Sequence, residues 1–328
     1  MNSEPTHEQV RQIIKKHLDV DIIDVARITE GYTHYMYDVT CDVSGQKKNF
    51  VVRISYNKKD TSDLAKELAV MEECGKHGIP IPIIYAFDIQ KTDYPFDYMI
   101  MEKLKGVPLK TLLDTLPVKE KTLIAEKVGE LLANIHSITL GDFGDFTKNG
   151  IKIKEEFSFR KSVDAPKIHA WTRKMLEDIF IDLSGLVTLD IINAGECSKI
   201  IDYMQKNKSL LLTAEPVLIH NDFHADHIII DKIDGEWVIS GIVDFEFACS
   251  YAREFDFIKL HRTGLLDDVH FREGLMRGYG KENLHPKFDD VVTYYRLIRD
   301  VGFAYALAKA GNMQLMRQVI VGIMKVVE

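Results

Sequence analysis

Apolar residues, many of them β-branched or aromatic, concentrate in three early runs of the chain, 22–29, 35–43 and 49–55. Such runs predict strands, and Glu30-Gly31 and Ser44-Gly45-Gln46 supply the turns between them. Ahead of these runs, Val10, Ile13, Ile14 and Leu18 recur at helical spacing, and Thr6 with Gln9 forms a capping box that starts the helix. A second helix is predicted from about 62 to 74, with Leu64, Leu68 and Met71 on one face and Gly75 and Gly78 closing it. Pro80 and Pro82 then lead into strands at 83–88 and 98–102. The first part therefore reads as an antiparallel sheet with one helix inserted after its third strand.

From Leu104 onward the character of the chain changes. The stretch 123–138 reads as a long helix, and 158–206 keeps helical spacing with few turn signals, so the second part is mostly α. One β-rich interruption, 216–231 with 236–245, is turned by Lys232-Ile233-Asp234-Gly235. Helices resume to the end, including 289–309 and 313–327. No internal repeat or low-complexity linker separates the parts, which predicts a hinge near residue 104 between packed lobes.

At 328 residues, 46% hydrophobic and 28% charged, the composition is that of a globular protein large enough for two cores. No apolar run approaches the roughly 18 residues that span a bilayer, so no membrane role is expected. The opening Met1-Asn2-Ser3-Glu4-Pro5 lacks the basic-then-apolar order of a secretory signal, and a cytoplasmic location is expected. Cys41, Cys74, Cys197 and Cys249 are scattered without a Cys-x-x-Cys pair, which predicts buried thiols rather than disulfides or structural zinc. A net charge of −8 argues against nucleic acid as a partner and leaves room for a cationic small molecule.

The chemistry concentrates in His220-Asn221-Asp222-Phe223-His224-Ala225-Asp226-His227 and, after the hairpin, Val243-Asp244-Phe245-Glu246. Phosphoryl transfer needs a carboxylate to orient and deprotonate the attacking hydroxyl, ligands to hold Mg²⁺ against the phosphates, and a cation on those phosphates. Asp222, in a loop after the apolar run Val217-Leu218-Ile219, is the candidate for the first role. His227 and Asp244 are candidates for the second: Asp244 is a hard oxygen ligand, and an imidazole is a less usual one for magnesium.

These residues resemble the aminoglycoside phosphotransferase family, small-molecule kinases whose catalytic segment reads His-x-Asp-x-x-x-x-Asn before a strand ending in Asp. The likeness extends over nearly the whole chain: Leu132-Ala133-Asn134-Ile135-His136-Ser137-Ile138 is similar to the family's helix before the substrate insert, and Glu254-Phe255-Asp256 to its later acidic turn. His227 stands where the family usually has Asn, a variant familiar from macrolide kinases and from aminoglycoside kinases acting on the 2″ hydroxyl. The resemblance implies an α+β, protein-kinase-like, two-lobed fold, with residues 1–104 as nucleotide-binding lobe and hinge and 105–328 as catalytic and substrate lobe. It also implies ATP or GTP as donor, with Mg²⁺. In the first lobe, the turn holding Gly31 and Thr33 would approach phosphate oxygens, and Arg53, set by Glu67, would take the place of the third-strand Lys. Lys48, Lys58 and Lys59 are rivals expected to lie outside that strand. The hinge would be Met99-Ile100-Met101-Glu102-Lys103-Leu104, with the Glu102 carbonyl and the Leu104 amide on the purine.

Two other readings compete. Asp222-x-His224-x-Asp226-His227 is one residue away from the His-x-His-x-Asp-His pattern of two-metal hydrolases, for which His261, His270 and His285 would be further ligands. A catalytically silent kinase-like nucleotide binder is the other, raised by Arg53 and His227. The acceptor is a hydroxylated small molecule that the fold does not select: aminoglycosides, macrolides and ordinary metabolites all suit a kinase of this size. For a polycationic acceptor, Glu246, Glu254, Asp267 and Asp268 are the candidate counter-charges, and they read equally as a solvated acidic surface.

Overall fold

The computed structural model describes residues 4–29, 34–55, 63–147, 150–153, 167–211 and 215–328, with side chains of 63, 147–153 and 167–174 left aside. In chain order the elements are α1 His7–His17, β1 Asp21–Ile28, β2 Tyr35–Val43, β3 Gln46–Ser55, α2 Asp63–Lys76, β4 Ile84–Asp88, β5 Asp97–Glu102, β6 Val107–Pro108 and α3 Val118–His136. There follow β7 Gly144–Thr147, β8 Gly150–Ile153, α4 Lys167–Thr188, α5 Ala194–Asn207, β9 Val217–Ile219, β10 Ile228–Ile233, β11 Glu236–Ile242 and β12 Cys249–Tyr251. The chain ends in α6 Phe257–Arg262, α7 Val269–Tyr279, α8 Phe288–Lys309 and α9 Met313–Val327. By internal packing it divides into two compact units, Met1–Glu120 with Phe146–Lys152 and His224–Phe247, and Lys121–Asp145 with Ile153–Phe223 and Ala248–Glu328.

In the first unit, β1 to β5 form an antiparallel sheet in the order β1-β2-β3-β5-β4, with α2 inserted between β3 and β4. Alternate residues of β2, Tyr37, Val39 and Cys41, point into a core shared with Val52, Ile54 and Ile100. α1 starts on the Thr6–Gln9 capping box and covers that core with Val10, Ile13 and Ile14. Met101 and Met99 line a second cluster with Leu64 of α2. The hairpin β10–β11 turns at Asp234-Gly235, both at positive φ, as Asp-Gly turns do. It adds to β6 as a three-stranded sheet, made possible at Gly106, where a Cβ would sit 2.0 Å from the Ile230 carbonyl oxygen. The segment carrying His227 and Asp244 is thus built into the first unit.

The second unit is mostly helical around one large apolar cluster, with Leu183 and Leu186 of α4, Ile200 and Met204 of α5, and Tyr294, Leu297 and Val301 of α8. The continuous helical spacing of 158–206 is broken at 189–193, where Asp190 takes a φ of 53° and Asn193 caps α5 in a capping box with Glu196. β12 joins β7 to β9 through Cys249, which pairs with Asp145 and Ile219, and this strip sets the direction of the loop after β9. Backbones of α3 and α7 approach closely: a Cβ on Gly278 would lie 1.8 Å from the Glu126 carbonyl oxygen. Cys41, Cys74 and Cys249 are buried and Cys197 half-buried, all as free thiols. Among the described residues no helix is long and apolar enough to cross a membrane.

Candidate active site

β9 ends in His220-Asn221-Asp222, and the loop is fastened from below by Asp256. The Asp256 carboxylate accepts the N–H of His220 at 2.8 Å and that of Asn221 at 2.6 Å. His136 Nε2 lies 3.1 Å from the same carboxylate, and its Nδ1 meets the Tyr279 hydroxyl at 2.8 Å. The close α3–α7 approach brings those last two side chains together. His136, His220 and Asp256 are all buried, so each of these bonds forms in a poorly solvated setting where leaving one unmade is costly. From the other side Arg299 of α8 donates to the Asn221 carbonyl at 3.2 Å and its side-chain oxygen at 2.6 Å. Asn221 has a φ of 63°, a left-handed conformation that Asn tolerates. The loop is clamped, and Asp222 is what it presents. One Asp222 oxygen lies 2.7 Å from Lys259 Nζ of α6.

Burial lowers the His136 pKa from 6.5, outweighing the opposing pull of Asp256. The folded state therefore resists a proton that the unfolded chain accepts: this contribution is complete above pH 6.5 and declines as pH falls below it. Urea midpoints measured from pH 7.5 to 5 should fall with acidity, and the fall should flatten in His136→Gln.

A second group of charges lies in the first unit. Arg53, at the β3 position named from the sequence, is 3% exposed and grips Glu67 of α2 at 2.8 Å. Its other guanidinium nitrogen reaches Asp244 at 3.0 Å and Glu246 at 3.1 Å. Glu246 also meets His34 Nε2 at 2.7 Å. Three carboxylates share one guanidinium here. Burial pushes Glu67 up to about 7 against the pull of Arg53, while the three acids together raise Arg53 despite its burial. The second Asp244 oxygen faces His227 Nε2 at 3.4 Å, and Asp244 holds a φ of 72°. A carboxylate and an imidazole side by side, backed by an excess of negative charge, fit a divalent cation. Arg53→Leu would leave the three acids without their cation, and a loss of about 3–5 kcal/mol in unfolding free energy is expected by denaturant titration.

Other expected residues fall elsewhere. Gly31 and Thr33 lie outside the described residues, as do Lys58 and Lys59. Lys48 is inside β3, contrary to the expectation, because the strand begins at Gln46; its ammonium bonds the Tyr85 hydroxyl at 2.6 Å. Met101 is buried in the sheet, and the Glu102 N–H is bonded to the Ile83 carbonyl at 2.8 Å. Leu104 follows the last ladder bond, from the Lys103 N–H to the Asn49 carbonyl, and packs on Gly241. The four acids considered for a polycation do not form one surface. Glu246 is turned to Arg53 and His34, Glu254 is buried, and Asp268 caps α7 and pairs with Lys121 at 2.9 Å. Nor do the downstream histidines gather for a two-metal site: His261 accepts from Arg296 at 2.8 Å and His285 from the Lys287 N–H at 2.9 Å. Lys259, Arg299 and His34 carried no sequence signal, since their partners are distant in the chain.

Comparison with known proteins bears on the family and the fold. Residues 24–290 match the model of the phosphotransferase enzyme family. The structure of APH(2")-IIIa with GDP and kanamycin is 16% identical, with a TM-score of 0.67 and coverage of 98% of both chains. Choline kinase from Cryptosporidium parvum Iowa II is likewise 16% identical, with a TM-score of 0.56, covering 98% of this chain and 95% of that one. Among curated proteins, the KEOPS complex subunit Bud32 of Pyrococcus abyssi is 22% identical over 144 residues, or 44% of this chain. That match spans 62% of the relative, less than two thirds of its length. With a kinase-like fold and a family match over most of its residues, the chain belongs to the phosphotransferase enzyme family.

Proposed function

We propose that this protein transfers the γ-phosphate of ATP or GTP to a hydroxyl of a small organic molecule in the cytoplasm. The observation that carries the reading is Asp222 in a loop whose backbone is held by Asp256 and Arg299. In this mechanism the ionised Asp222 accepts a hydrogen bond from the acceptor hydroxyl and aims its oxygen at the γ-phosphorus. As the new O–P bond forms and the bond to the departing nucleoside diphosphate breaks, the hydroxyl proton passes to Asp222. Lys259 pairs with that carboxylate. His227 and Asp244 would hold Mg²⁺, which when bound neutralises charge on the phosphates. Arg53, braced by Glu67 and Glu246, keeps Asp244 in position and supplies positive charge on the phosphate side.

Residues 1–104 are assigned to nucleotide binding, with Gly31 and Thr33 beside the phosphates and Met101, Glu102 and Leu104 along the purine; 105–328 are assigned to catalysis and acceptor binding. Action on an antibiotic such as an aminoglycoside or macrolide is one form of this activity. A second reading, nucleotide binding without transfer, draws support from the engagement of Arg53 by three carboxylates. One experiment separates them: nucleoside diphosphate release from Mg-ATP and Mg-GTP across a panel of hydroxylated compounds. Acceptor-dependent release supports transfer; tight nucleotide binding with no release across the panel supports the silent reading.

A further inference from the structure

A cavity of about 520 Å³ opens in the second unit, walled by α6, α8 and α9. One wall is apolar, with Phe303 of α8 and Leu315 and Val319 of α9. The lining also carries Arg262 of α6 and Arg296 of α8, with Asp300 between them. That single carboxylate serves both guanidiniums. Arg262 donates to it directly, while Arg296 Nε stays 3.6 Å away, too far for a hydrogen bond. Arg296 Nε is buried and has no hydrogen-bond acceptor among the described residues. The hydrogen bond that Arg296 does make is to a neutral group, the Nδ1 of His261 at 2.8 Å. A buried guanidinium N–H without an acceptor is a standing cost that a ligand oxygen would remove. Asp267, the other acid of the lining, is exposed at the rim.

The cavity is also close to the candidate base. Lys259 and Arg262 lie three residues apart on α6, about one helical turn or 5 Å along its axis, and Lys259 holds Asp222. The cations Lys259, Arg262, Arg296 and Arg299 therefore crowd the region that an acceptor reaching Asp222 would occupy. Arg299 is lowered by burial first and by repulsion from Arg262 next, with Asp222 and Asp256 opposing. A polyamine entering here would add to that repulsion. An anion would relieve it.

We propose that this cavity binds the acceptor through an anionic group, a carboxylate or phosphate, held by Arg262 and Arg296 while an apolar portion rests on Phe303, Leu315 and Val319. The assignment rests on the phosphotransferase reading above and narrows its acceptor from hydroxylated small molecules to hydroxylated anions. Arg262 is already oriented for the task, its guanidinium lying 5.8 Å from the centre of the Phe303 ring.

The test uses three probes that share an aromatic body and a hydroxylated ring and differ in charge: phenyl glucuronide, phenyl glucoside and its 2-amino-2-deoxy analogue. Calorimetric titration of the full-length protein without nucleotide should give the glucuronide about tenfold tighter binding than the amine, with the glucoside between. Arg262→Gln should abolish that order and Arg262→Lys should restore part of it. Arg296→Lys, which keeps the charge, guards against misfolding. Equal binding of the three probes overturns the proposal. So does glucuronide binding too weak to measure up to about 10 mM, or an order unchanged in Arg262→Gln. Diphosphate release with Mg-ATP is scored separately: an intact charge preference without transfer to any hydroxylated anion would count against the phosphotransferase reading and leave the anion site standing.

Discussion

Asp222→Asn is expected to lower turnover by about 10³-fold while leaving nucleotide affinity unchanged. The substitution keeps the size of the side chain and its place after β9, and Asn can still accept one hydrogen bond from the acceptor hydroxyl. What it removes is the ability to take the proton as the new O–P bond forms. It also replaces the partner of Lys259, whose ammonium then faces a neutral amide 2.7 Å from where the carboxylate oxygen stood. Both effects appear in the chemical step. Steady-state kinetics should show the loss in kcat, with the KM for nucleotide within error of the native value. Equal activity would remove Asp222 from the role of proton acceptor.

The second large effect is expected from Asp256→Ala, a residue that touches neither nucleotide nor acceptor in the proposed scheme. Its carboxylate accepts the N–H groups of His220 and Asn221 and lies 3.1 Å from His136 Nε2. Removing it leaves buried donors unsatisfied, each costing about 1–3 kcal/mol, so a destabilisation of about 3–5 kcal/mol is expected. Asn221 adopts its left-handed φ under that constraint, and once released it would no longer aim Asp222. Asp256→Asn keeps one acceptor oxygen and should fall between native protein and Asp256→Ala in both urea midpoint and kcat. A drop in kcat exceeding the fraction of protein unfolded marks a positioning role; activity that follows the folded fraction alone marks a purely structural one.

Much of this protein is legible in one dimension. The runs rich in β-branched and aromatic residues became β1 to β3, the runs at 83–88 and 98–102 became β4 and β5, the Thr6–Gln9 box starts α1, and Asp234-Gly235 turns the hairpin. Signals of this kind are local, carried by neighbours along the chain, so they survive without knowledge of the fold. The break between α4 and α5 was also written locally, in the Asn193–Glu196 box, and was hidden by the continuity of apolar spacing on either side. Arg53 and Glu67 illustrate an intermediate case. The family resemblance, carried onto the third strand and the helix after it, predicted their pairing, yet nothing in the spacing announced that Asp244 and Glu246 would join the same guanidinium.

The acidic residues considered for a cationic acceptor mark where linear reading ends. Charge counted along a chain says how many carboxylates there are, and burial decides what they face. Glu246 is turned to Arg53 and His34, Glu254 is buried, and Asp268 caps a helix, whereas the basic side chains of α6 and α8 border a cavity. The sequence by itself determined most of the elements and their order, and it put forward the residues proposed to move a phosphoryl group, because those readings depend on local pattern and on side-chain chemistry. Only the tertiary structure decided which charges meet: Lys259 with Asp222, Asp256 with the backbone of His220 and Asn221, Arg262 and Arg296 with one Asp300. The physical reason is that electrostatic and hydrogen-bonding energies depend on separation in space and on exclusion of water, and folding sets both between residues far apart in the chain.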